Sequence, residues 1–156
     1  MAESIAELIG RHPVLEGLSP EDVEQVAGCS HNIVAEMGEI LFREGDPATT
    51  LYLIRRGQVS LEIHSPGREP LVIETVGDGS VVGWSWLFPP YRWTLTGRVT
   101  ATLGAVAIDG SCLRGKADAD RELGYVLMRR FAAIMLQRLL ATRLRLLDLY
   151  GDGAGS

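Results

Sequence analysis

The stretch Gly83–Trp93, GWSWLFPPYRW, gathers all three tryptophans of the chain beside Phe88, Tyr91 and a single cation, Arg92. Indole and phenol rings offer flat, electron-rich faces, and a guanidinium offers a planar fork of N–H donors. Side chains of these types in one short tract suit a flat ligand that carries an anion. The competing reading is packing, because aromatic side chains more often fill a core than face a ligand. The sequence leaves both open.

Other chemistry finds less support. His12, His31 and His64 are isolated, with no His-x-His pair, so the clustered ligands of a metal enzyme are not expected. Ser85 lies in Gly-Trp-Ser-Trp-Leu, which lacks the second glycine of a nucleophile elbow. Cys29 and Cys112 have no flanking signature. Two cysteines are too few for a disulfide framework or a four-cysteine zinc site, so they read as small buried thiols in a reducing, cytoplasmic compartment. With no catalytic constellation and no metal or cofactor motif, the chain is not expected to be an enzyme.

Charge narrows the partners. The net charge is −5 and the pI is about 5.2, so a nucleic-acid surface would need a local basic patch. Residues 121–150 do carry six arginines against Glu122 and Asp148, while residues 1–120 are strongly acidic. Arg130, Arg138 and Arg145 are separated by apolar residues that need burial first, which favours a solvated face over a nucleic-acid or membrane surface. The segment MAESIAELIG has no basic residue ahead of its apolar positions, unlike a targeting signal, and no apolar run reaches membrane-spanning length.

The elements that must position these residues follow from spacing. Ser4 with Glu7 forms a capping box for a short helix ending near Gly10. Ser19 before Pro20, with Leu18 and Val23 as a hydrophobic staple, predicts a second helix from about Pro20 to Ala27. From residue 31 to residue 109 short β-rich runs are broken by Gly, Asp and Pro, and Val59, Leu61 and Ile63 alternate with Ser60, Glu62 and His64 as in a half-buried strand. Such strands imply a sandwich, jelly roll or barrel. Asp118 or Asp120 is placed to cap a last helix over about Arg121–Tyr150, with Leu136, Leu140, Leu144 and Leu147 at i, i+4, i+8 and i+11 and Leu127, Phe131 and Ile134 extending the apolar surface N-terminally. At ~1.5 Å per residue this helix is about 45 Å long, more than a small barrel covers, so part of its stripe is expected to pack on a second copy. Residues 151–156 read as a flexible tail.

This order of elements resembles the cyclic nucleotide-binding domain family, the sensor module of the cAMP receptor protein, of cyclic nucleotide-regulated kinases and of gated channels. The resemblance runs from about Leu15 to Leu147 and is most specific in GEILFREGDPATTLYLIRRGQVSL, Gly38 to Leu61. There the Gly-Glu, the Gly-Asp turn at Gly45 and the Gly before Val59 match, and Gly45 and Gly57 sit where tight strand turns need permissive backbone. It implies a β jelly roll with two short N-terminal helices and a long C-terminal helix, residues 1–150 forming one domain. It also implies a phosphate-binding cassette over Val81–Ala101, where a short helix, an arginine and a glutamate hold the phosphate and the ribose.

Gly83 matches the opening glycine of that cassette, but Trp84 stands where the glutamate usually follows, and an indole donates without accepting as a carboxylate does. Counting from the front places Arg92 at the usual arginine; counting back from Ala101 places Leu95 there. On the functional reading, Trp84, Trp86, Tyr91 and Trp93 form a platform for a purine, with Arg92 and the backbone of Gly83, Trp84 and Ser85 for its anion. On the other, the aromatics plug the pocket. The resemblance thus implies a stand-alone sensor that binds cAMP or another purine and signals through its last helix, with the alternative of a non-binding dimerisation or protein-interaction module. Transcriptional relatives carry a helix-turn-helix beyond this helix, and only Gly151–Ser156 follow it here, so nucleic acid is not an expected partner.

Overall fold

Side-chain caps start the two N-terminal helices of the computed structural model, which describes residues 4–154. In α1 (Ile5–Arg11) the Ser4 hydroxyl accepts from Glu7 N at 3.1 Å, and in α2 (Pro20–Ala27) the Ser19 hydroxyl accepts from Asp22 N at 3.2 Å. Each satisfies a donor that a helix start leaves unpaired.

Six strands follow: β1 (Ser30–Ala35), β2 (Ile40–Phe42), β3 (Thr50–Ile63), β4 (Leu71–Val76), β5 (Val81–Val82) and β6 (Thr96–Asp109). All pair antiparallel, in the order β1-β6-β3-β4, with β2 also on β6 and β5 also on β3. The two 14-residue strands β3 and β6 form the spine. Their register shifts three times between Ile54 and Val59, and the bend centres on Gly57 at φ 104°, where a Cβ would strike the Thr102 carbonyl. The shift swaps faces. Tyr52 and Ile54 point into the barrel before it, and Val59 and Leu61 after it, so one strand lines the interior along its whole length. This is the jelly roll that the spacing and the resemblance imply.

Two cores result. The barrel interior holds Phe42, Ile54, Val59, Leu61, Val82, Trp93 and Leu103. Outside it, Leu51, Leu53, Val106 and Ile108 pack against the helices, where Leu123, Leu127 and Phe131 of the last helix each contribute about 1.5–3 kcal/mol by burial. The expected alternation at Val59–His64 holds only in part. Ser60 and Glu62 are buried and Ile63 is exposed, because Glu62 accepts from Ser60 and His64 and lies 3.3 Å from Arg98 Nε. Polar partners let these two side chains leave water.

A helix that the spacing did not indicate, α3 (Gly110–Ala119), follows β6 directly, capped by the Asp109 carboxylate accepting from Cys112 N at 2.8 Å. Its two glycines hide it, since they weaken helix propensity. Asp120, one of the two candidate caps, starts α4 (Arg121–Ala154) by accepting from Leu123 N at 3.2 Å. Gly151–Ala154 continue the helix where a flexible tail was expected, since no proline interrupts the backbone ladder; Gly155 and Ser156 lie outside the described residues.

The cysteines also correct the reading. Cys29 and Cys112, expected as separate thiols, form a disulfide across a Cα–Cα distance of 5.6 Å. The α2–β1 corner and the first turn of α3 meet in space although they are 83 residues apart in sequence. The pairing removes the thiol argument for a reducing compartment. Among the described residues no helix is long and apolar enough to cross a membrane.

Candidate functional site

The 83–93 loop leaves β5 at Gly83 and turns beneath α4. Gly83 has φ 103°, and a Cβ there would lie 2.7 Å from the Trp93 ring and 3.1 Å from the Thr50 carbonyl. Glycine is needed both for the backbone and for the approach of the indole. Trp93, in turn, is buried and stacks on Phe42 with ring centroids 3.8 Å apart and planes 14° from parallel. Leu87 N donates to the Trp84 carbonyl, so Trp84–Leu87 form a turn where the resemblance implies a short helix.

The aromatics of the loop separate. Trp84 is half-buried and meets Phe131 edge-on at 5.5 Å. Trp86 is 1% exposed, donates Nε1–H to the Gly83 carbonyl at 3.0 Å and packs in the outer core, so it is no part of a ligand platform. Tyr91 is exposed at φ 55° beside Arg114, whose guanidinium lies 4.4 Å from its ring centre.

Between the barrel mouth and α4 lies a cavity of about 250 Å³, bounded by Gly83, Trp84, Ser85, Trp93, Met135 and Arg138. Its size falls just below the ~300–1,000 Å³ of common small-molecule sites. Gly83, Trp84, Ser85 and Trp93 are therefore brought together as the sequence indicated. Arg92 is not. Its side chain is exposed, its Nη1 donates to the Gly45 carbonyl at 2.9 Å, and its backbone bridges Pro47, so it braces the Gly45–Ala48 turn outside the cavity.

The cation that does reach the cavity is Arg138 of α4. Its Nε lies 3.6 Å from Glu74 Oε1, its Nη2 donates to the Val81 carbonyl, and its guanidinium sits 5.7 Å from the Trp84 ring centre. Burial pulls its pKa below the ordinary arginine value, and the Glu74 charge pulls it back up. The group stays a cation. Sequence reasoning placed Arg138 on a solvated face. The signal that could have found it is its position four residues after Ile134 and seven after Phe131, on the stripe that meets the barrel.

A larger groove of about 600 Å³ runs between α3, α4 and the outer side of the loop, lined by Tyr91, Arg114 and Tyr125, and it does not touch Gly83.

A jelly roll of this order, with a glycine-opened loop between β5 and β6 and a cavity closed by the C-terminal helix, matches one family of sequences. The sequence model of the cyclic nucleotide-binding domain covers residues 33–118. The chain belongs to this family. As a cyclic nucleotide-binding domain it is 26% identical over 144 residues to the CRP-like cAMP-activated global transcriptional regulator of Mycobacterium tuberculosis, which covers 92% of this chain and 62% of that protein. The chain thus spans less than two thirds of that curated relative. Among solved structures, a candidate cyclic nucleotide-binding protein from Geobacter metallireducens superposes with a TM-score of 0.77 at 29% identity, over 89% of this chain and 99% of that one. The catabolite activator protein of Thermus thermophilus superposes with a TM-score of 0.68 at 24% identity, over 89% of this chain and 63% of that one, a likeness of fold. Within the family pattern, the departure at Trp84 leaves no glutamate beside the opening glycine, and the carboxylate nearest the cavity is Glu74 of β4.

Proposed function

We propose that this chain is a regulatory, non-catalytic sensor module whose cavity takes a cyclic nucleotide such as cAMP, or a related purine phosphate, with Arg138 in place of the cassette arginine. The observation that carries this reading is the position of Arg138: a desolvated guanidinium at the cavity, held by one carboxylate and one carbonyl, beside the face of Trp84. A phosphate entering there competes with Glu74 for the fork of donors, and a base can lie against Trp84 or the free part of Trp93. Because Arg138 belongs to α4, the exchange of Glu74 for a phosphate shifts that helix relative to β4. The name of the Mycobacterium tuberculosis relative supports a regulatory role of this kind.

A homodimer is the proposed form. Leu136, Leu140, Leu144 and Leu147 are all exposed on α4, and a second α4 would cover them. The proposed site of action is the cytoplasm.

One observation favours a second reading. The Trp93 indole, stacked on Phe42 and wedged against Gly83, occupies barrel-mouth space, as a plug would in a module that binds protein partners only. Fluorescence titration with cAMP, cGMP and cyclic dinucleotides separates the two. A saturable change in the wild-type tryptophan signal supports the sensor. No change in wild type, with binding gained by Trp93→Gly, supports the plug.

A further inference from the structure

The Cys29–Cys112 disulfide joins the α2–β1 corner to the first turn of α3 at the end of the β1–β6 ladder, where Asp109 N also donates to the Cys29 carbonyl at 2.9 Å. α3 buries only Gly110 and Leu113 of its ten residues. Beside the disulfide, Lys116 Nζ donates to the Gln25 carbonyl at 2.6 Å and Gln25 Nε2 donates to Asp120 Oδ2 at 3.0 Å. The opposite side of α3 touches the 83–93 loop. A Cβ on Gly110 would lie 2.8 Å from Trp86 Cβ, Arg114 donates to the Trp86 carbonyl, and the same guanidinium covers the Tyr91 ring at 4.4 Å. α3 is the piece of structure between the disulfide and the loop that bounds the cavity.

We propose that Cys29–Cys112 is a thiol–disulfide exchange site, and that its redox state sets how firmly α3 holds the 83–93 loop. The partner class is a dithiol reductant. Cys112 is a half-buried residue and Cys29 a buried one, so the attack falls on the Cys112 side of the bond. A reductant thiolate bonds to Cys112 Sγ, the disulfide breaks, and Cys29 leaves as a thiolate and takes a proton. The second thiol of the reductant then attacks the reductant's own sulfur in the mixed disulfide, and Cys112 leaves and takes a proton. Two electrons and two protons pass to the cysteine pair, and the reductant becomes a disulfide. The barrel core lies apart from this bond, so reduction loosens a local unit rather than the whole fold.

Hydrogen exchange on the intact chain tests this without any nucleotide, so the outcome is independent of what occupies the cavity. The oxidised protein, the protein treated with dithiothreitol in the absence of denaturant, and the Cys29→Ser/Cys112→Ser variant are compared. The expected result is that dithiothreitol reduces the bond. Protection then falls about tenfold or more in residues 110–119 and 83–93, with β3 and β6 unchanged, and the double variant matches the reduced protein. A bond that resists dithiothreitol until denaturant is added, unchanged protection in α3 and the loop, or an equal loss throughout the barrel overturns the proposal.

Discussion

Arg138 Nε stands 3.6 Å from Glu74 Oε1, so a side chain of the C-terminal helix and one of the edge strand β4 meet at the mouth of the barrel. The pair ties the last helix to the cavity. It also means that an anion entering the cavity meets a guanidinium already engaged, and binding is an exchange of partners rather than a capture by an idle charge. The net gain is then the difference between two charge-assisted contacts, which favours a multiply charged or bidentate ligand over a simple monoanion.

Gly83→Ala tests whether the loop entry depends on left-handed backbone and on the approach of Trp93. With φ 103° and the added methyl 2.7 Å from the indole, the expected cost is about 1–3 kcal/mol. For a chain of this size that is a fall in Tm of several degrees, at ~2–4 °C per kcal/mol. Thermal unfolding followed by near-UV circular dichroism checks it, and an unchanged Tm would mean that the loop does not need this glycine.

His12 predicts a pH dependence. Its Nε2–H donates to the Ile54 carbonyl at 2.9 Å, and its Nδ1 accepts from Val14 N at 3.2 Å, so the buried ring is neutral with both nitrogens used. Burial is the main cause that pulls its pKa below 6.5. The folded state therefore binds fewer protons than the unfolded chain just below pH 6.5, and stability rises with pH there. The contribution is complete above pH 6.5 and is lost as pH falls toward the lowered folded-state value. Urea unfolding from pH 5 to 8 is expected to lose part of this slope in His12→Gln. A slope equal to wild type would remove His12 from the account.

The Leu140→Glu/Leu144→Glu variant tests the exposed stripe of α4. Each leucine covered in a dimer contributes up to about 1.5–3 kcal/mol, so the double change is expected to weaken self-association at least ~100-fold while the fold survives. Sedimentation across a concentration series reads it. A dimer of unchanged affinity would place the interface elsewhere.

The jelly roll and both N-terminal helices were legible because their signals are local: Ser4, Ser19 and Pro20 act within one turn, and Gly45 and Gly57 mark turns wherever they fall. α3 was not, since Asp109 caps a helix whose Gly110 and Gly115 argue against one. The site was half legible. Gly83, Trp84, Ser85 and Trp93 converge because they are near neighbours on one loop. Arg92, on the same loop, leaves the cavity because the loop reverses through Pro89–Tyr91 and sends it to Gly45, whereas Arg138 enters from far away in sequence. Long-range pairing of this kind, like that of Cys29 with Cys112, has no periodic trace in a single sequence.

The central claim is that Arg138, not Arg92, is the anion-binding cation of this domain. Calorimetric titration of wild type, Arg138→Ala and Arg92→Ala with cAMP tests it most directly. A charged hydrogen bond lost at the phosphate is worth about 1.5–3 kcal/mol, so Arg138→Ala is expected to weaken binding ~10–100-fold while Arg92→Ala stays within about twofold of wild type. Binding lost in Arg92→Ala and retained in Arg138→Ala would contradict the account.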